Sequence, residues 1–139
     1  MKKFKDTSST PLTTLNEPTI SYGSNSFYEL SSRSISKEYI KGIIQLAKLT
    51  VTELISFIPI SIDSYKRRVD FNPAVTEKVL EIEEVYRRGL DAFGEPFYDW
   101  MDAKNVSLGG KKPKELLVNS FGVRILLDEI GKLEHGVLA

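Results

Sequence analysis

With 139 residues, 41% of them hydrophobic and 27% charged, the chain is sized for one domain, or for two very small ones sharing a core. Nineteen basic residues balance nineteen acidic ones, so the chain is no polycation, and any contact with nucleic acid or anionic lipid has to come from a local patch. Cysteine is absent, which excludes disulfides, thiol chemistry and thiolate metal sites.

Residues 1 to about 35 read as a flexible polar tail. Ser and Thr are dense there, Pro11 and Pro18 break any helix, and no apolar period lasts two turns. Tyr22, Phe27, Tyr28 and Leu30 are the groups able to tack part of it onto the body; otherwise the tail is expected to be mobile and dispensable. Its first residues, Met1 to Asp6, are basic but lead into polar sequence, so no signal peptide is expected. The most apolar run, Ile43 to Ile62, is interrupted by Lys48 and Glu53 and is not a membrane span. A cytoplasmic protein is the expectation.

Order is expected from Ser36, an N-cap followed by Glu38 in the first turn. Ile40, Ile43, Ile44 and Ala47 continue it as a helix of about three turns. Thr50 or Thr52 restarts the chain into a second helix carrying Leu54, Ile55, Phe57 and Ile58, which Pro59 stops. Ser61 then caps a third, Ile62 to Val69, with Asp63 near its positive end. Two short helices, the second opened by a serine and carrying Lys66, Arg67 and Arg68, have the layout of a helix-turn-helix. In that motif Ser61, Asp63 and Ser64 face base edges while the basic trio holds phosphates. Pro59 stands where such turns favour glycine, and Ile55 where a small residue is usual. A plain helical hairpin with a solvated basic end fits the same residues, and both readings stay open at this point.

The strongest helix starts at Asn72-Pro73, with proline at the first helical position. Val75, Val79, Ile82, Tyr86, Leu90 and Phe93 recur at spacings of three and four, and Gly94 ends it. A shorter helix, Pro96 to about Ala103, turns Phe97, Trp100 and Met101 to one side as core. After a loop over 104–110 come a glycine turn, a short helix opened by Pro113, and a last helix with Leu126, Ile130, Leu133 and Val137 on one stripe. That apolar stripe runs nearly to Ala139, so the end either closes the core or offers a docking surface.

Catalytic chemistry is not found. His135 has no histidine or cysteine partner for a metal, no Gly-x-Ser-x-Gly elbow occurs, and Leu108-Gly109-Gly110-Lys111-Lys112-Pro113 lacks the spacing of a phosphate-binding loop. No enzyme and no cofactor are expected.

The string Phe93-Gly94, Trp100-Met101, Leu108-Gly109-Gly110, Pro113-x-Glu115-Leu116-Leu117, Gly122 and Leu133-Glu134-His135-Gly136 resembles the signature of the Xre/MbcA/ParS antitoxin family. The family's closing phrase, Gly-Arg-Ile-Glu-(Tyr or His)-Gly, is met at Gly131 to Gly136 with Lys132 and Leu133 as conservative changes. The resemblance covers about residues 36–139 and implies an all-α fold, with helix-turn-helix-like helices ahead of a small C-terminal toxin-binding domain. It divides the chain into a tail (1–35), a helix-turn-helix region (36–92) and the toxin-binding domain (93–139).

It further implies an antitoxin that covers the active site of a RES-domain, NAD-consuming toxin and represses its own operon, as a homodimer on operator DNA. The expected toxin contacts are Lys132, Glu134, His135, Gly136, Val137 and Leu138. The alternative, of another class, is a stand-alone helix-turn-helix regulator whose C-terminal helices only dimerise it. Three departures from the pattern stand out. Lys112 precedes Pro113 where a capping Ser or Thr is usual, Lys104 to Ser107 carries no proline and reads as a looser loop, and Pro59 with Ile55 leaves open whether the third helix enters a groove.

Overall fold

The computed structural model describes residues 34–136, so residues 1–33 of the expected tail and the expected contacts Val137 and Leu138 lie outside the described residues, while Ile35, expected in the tail, is buried in the core. The fold is all-α apart from one two-residue strand pair. In chain order it runs β1 (Ile35–Ser36), α1 (Lys37–Ala47), α2 (Val51–Phe57), α3 (Ile62–Arg67), β2 (Asp70–Phe71), α4 (Pro73–Phe93) and α5 (Pro96–Asp102). Two 3-10 turns (Val106–Leu108 and Pro113–Val118) then lead into α6 (Ser120–Glu134).

Five of the six α-helices described start on a side-chain cap, and α5 opens instead on Pro96 at its first position. Ser36, Thr50, Ser61, Asn72 and Asn119 all accept a backbone N–H of the first turn that follows them. At Thr50 the arrangement is reciprocal, because Glu53 also accepts the Thr50 N–H at 3.0 Å. α3 ends at Arg67, two residues short of the expected Val69, because the chain there is drawn into the strand pair. Lys37 N–H donates to Val69 O at 3.1 Å, and β1 pairs antiparallel with β2, Ile35 opposite Phe71.

α4 is the axis of the molecule. It packs most extensively along α6 and also against α1 and α5, so both ends of the chain share one apolar core. Tyr39, Ile40, Ile43, Val79, Ile82, Tyr86, Phe97, Leu117, Leu126 and Ile130 are almost wholly buried in it. α5 crosses α4 at Gly89, where the Phe97 ring occupies the space a Cβ would need. The 3-10 turn after Pro113 crosses α6 at Gly122 in the same way, against the carbonyl of Leu116.

Among the described residues, one charged side chain is wholly inside. Glu83 is fully buried, accepting from the Tyr39 hydroxyl at 2.5 Å and Arg87 Nε at 2.8 Å. Burial pushes its carboxyl above the usual range, although both hydrogen bonds pull the other way. At the junction of the two ends, Lys114 bridges Asp102 at 2.6 Å and Glu53 at 3.1 Å. Its partial burial works against its charge, but the bonds to Asp102 and Glu53 outweigh this and raise its pKa. The Tyr98 hydroxyl adds a bond from α5 to Leu46 O at 2.6 Å.

The loop over 104–110 is tighter than its lack of proline suggests. Asn105 Oδ1 accepts from both the backbone and the hydroxyl of Ser107, and Asn105 also pairs with Lys111 across the turn. Gly109 and Gly110 take positive φ, and Ser107 reaches Glu129 of α6 at 3.0 Å. A single Asx turn does here what prolines do elsewhere.

Candidate interaction surfaces

Two exposed regions carry the residues singled out in the sequence. The first is α3. Leu54, Ile58 and Tyr65 are buried and fix α2 and α3 to the body, with Tyr65 stacked on Phe71 at 5.7 Å. The turn between the helices holds no positive φ; Ile58, its first residue, is extended, so Pro59 is accommodated without the glycine usual in such turns. Ile55 is half-buried and α2 still packs on α3, so its bulk does not part the helices.

Ser61, Asp63, Lys66, Arg67 and Arg68 are exposed and Ser64 is half-buried. Ser61 spends its hydroxyl on the cap, accepting from Ser64 N–H at 3.1 Å. Asp63, Lys66 and Arg67 line one shallow surface, and Arg67 Nε also donates to Asp63 O at 3.4 Å. Lys37 donates to Lys66 O at 3.0 Å and lies 5.0 Å from the Tyr65 ring, adding a cation beside the trio. No local pattern announces Lys37 at this site, because strand pairing brings it there.

The second region is the end of α6. Leu126 and Ile130 are buried in the core, and Leu133, half-buried, lines an apolar hollow of about 330 Å³ with Phe93, Pro96, Phe97 and Trp100. Lys132, Glu134, His135 and Gly136 are exposed. Gly136, at φ 73°, donates to Leu133 O at 3.1 Å, so the backbone leaves the helix through a left-handed turn. Glu134 is not idle: Arg88 of α4 donates to it at 3.3 Å. That pair is about one-third exposed and therefore weak, open to exchange for a stronger partner.

The two sets of candidates are not brought together; one lies at α3 and the other at the far end of α6. Residues that sequence reasoning passed over are Arg88 and the exposed apolar residues about the start of α6, Val118, Phe121 and Ile125. The apolar three were visible in the sequence beside the buried set at Val123, Leu126 and Ile130. Among the described residues no helix is long and apolar enough to cross a membrane, and no cluster of His, Asp and Glu suits a metal ion.

The family described as antitoxin Xre/MbcA/ParS C-terminal toxin-binding domain matches residues 89–136, from within α4 through Gly136. No curated protein shows significant similarity to the chain.

Proposed function

We propose, from the premise that this chain belongs to the Xre/MbcA/ParS antitoxins through the toxin-binding domain at residues 89–136, that it neutralises a RES-domain, NAD-consuming toxin by covering its active site. Residues 89–136 match the toxin-binding domain of that antitoxin family. The particular toxin, the residues that meet it and the repression of its own operon belong to the proposal.

The observation that carries the reading is the end of α6. Lys132, Glu134, His135 and Gly136 stand clear of the core while Leu133 anchors the helix beneath them. A toxin that binds NAD presents cationic or donor groups to phosphates, and Glu134 is an acceptor that can move from Arg88 to such a group. Val137 and Leu138 extend the proposed contact. The unit proposed for toxin binding is 93–139, and the helix-turn-helix region 36–92 is proposed to bind operator DNA. There Lys66, Arg67 and Arg68 hold phosphates and Ser61, Asp63 and Ser64 face base edges. The reading assigns no catalysis and no cofactor.

The test is truncation. Removing Glu134 to Ala139 is expected to abolish neutralisation when the chain is co-expressed with a RES-domain toxin encoded beside it, with the helical CD spectrum and operator binding kept. Protection by the truncated chain overturns the assignment of the terminus.

A further inference from the structure

Gly131 is a helical residue in the last turn of α6, where glycine weakens a helix unless the space it leaves is used. Arg88 of α4 uses it. A Cβ at Gly131 would meet Arg88 Nη2 at 3.8 Å and nothing nearer, so the guanidinium lies over bare helix backbone. From there Nη2 donates to Glu134 Oε1, three residues on, at 3.3 Å. Among the described residues no other group bonds the Glu134 carboxylate, which leaves its second oxygen open. Glu84, one turn before Arg88 on α4, feels the same guanidinium: burial raises its carboxyl and Arg88 draws it back. Arg88 thus sits between a carboxylate of its own helix and one of α6.

The pair is not what joins α4 to α6. Leu126 and Ile130 already do that from within the core, and a pair this exposed is weak. What it fixes is one side chain at a helix end, where the backbone is otherwise prone to fray. A cation over the last turn also suits the negative end of the helix. We infer that Arg88 is a positioning residue for the toxin contact: seated over Gly131, it holds Oε1 of Glu134, leaves the other oxygen to a cationic or donor group of the toxin, and stays paired in the complex. The inference rests on the proposed contact at Glu134 and, of release and retention of Arg88, selects retention. A carboxylate accepts from two donors at once, and a side chain already placed spares the ordering that binding otherwise requires. Gly131 is then bare so that Arg88 can reach Glu134.

Binding of the full chain to the RES-domain toxin encoded beside it, followed by biolayer interferometry, tests this. Glu134→Ala is expected to weaken binding. Arg88→Ala is expected to weaken it about fivefold, the upper end for an exposed pair, with the CD spectrum kept. In a Glu134→Ala background Arg88→Ala should add no further loss, because no carboxylate is left to hold. Arg88→Lys, which keeps a cation over Gly131, should recover part of the fivefold. Arg88→Gln, uncharged, should not, and it serves if the alanine variant misfolds. Wild-type or tighter binding by Arg88→Ala, beside a weakened Glu134→Ala, overturns the inference and leaves the contact at Glu134 standing. An Arg88→Ala loss of equal size in both backgrounds overturns it too, and gives Arg88 a role in the fold or a toxin contact of its own. Wild-type binding by Glu134→Ala removes the contact, and the inference with it.

Discussion

Two glycines of α6 should respond in opposite directions to the same substitution. At Gly122 a Cβ would stand 2.0 Å from the Leu116 carbonyl oxygen and 2.8 Å from its carbon. The obstacle is backbone, with no rotamer to relieve it, so the turn after Pro113 and α6 would have to move apart. Forcing a methyl into such a contact costs roughly 3 kcal/mol, while alanine in a helix gains about 1 kcal/mol over glycine. Gly122→Ala is therefore expected to lose about 2 kcal/mol net, or about 8 °C in melting temperature at about 4 °C per kcal/mol. At Gly131 the nearest atom to an added Cβ is Arg88 Nη2 at 3.8 Å, ordinary contact with a flexible side chain. Gly131→Ala should then keep its helical gain, about 0.5–1 kcal/mol of added stability. Urea unfolding followed by CD at 222 nm reads both. A Gly122→Ala variant as stable as the wild type would refute a rigid approach of Leu116 to α6. If Gly131→Ala is more stable but no longer neutralises, Gly131 is kept bare for the partner and not for the fold.

Glu83 gives a pH prediction whose sign follows from its raised pKa. Its contribution is fully present below the unfolded value of about 4.5 and is lost as pH rises through the higher folded value. The stability of Glu83→Gln relative to wild type should therefore improve between pH 5 and pH 8 in parallel urea titrations; the opposite trend would mean that Arg87 and Tyr39 over-compensate its burial. For α3, replacing Lys66, Arg67 and Arg68 by alanine should reduce the salt slope of operator binding by about one unit for each phosphate no longer neutralised. Unchanged affinity and slope in a fluorescence anisotropy titration would remove α3 from the DNA.

Elements whose cause is local were legible in the chain. Ser36, Ser61 and Asn72-Pro73 announce helix starts because capping is settled by residues within one turn, Thr50 is the cap of the two candidates Thr50 and Thr52, and Gly94 marks the end of α4 for the same reason. The apolar stripe of α4 was legible, but its width was not. Thr76, Lys78 and Glu83 are buried as well, because α4 is covered from more than one side, and one amphipathic stripe says nothing of a second neighbour. The pairing of Ile35 with Phe71 was invisible, since two-residue strands have no period and their partner lies 36 residues away. Lys132, Glu134, His135 and Gly136, which are exposed, were singled out through the family phrase. Arg88, which holds Glu134, was missed because 46 residues separate them in the chain.

How the two surfaces communicate follows from what joins them. The polar links between the ends of the chain, Lys114 with Glu53 and Asp102, and Lys48 with Glu95, are mostly half-exposed and individually weak. The joint is instead apolar: α4 lends side chains to α1, α5 and α6 in one continuous core, and a close-packed core does not hinge. On the proposed reading, a toxin seated at the end of α6 meets a body in which α3 is already fixed. Its effect on operator binding then has to come from the charge and bulk it adds.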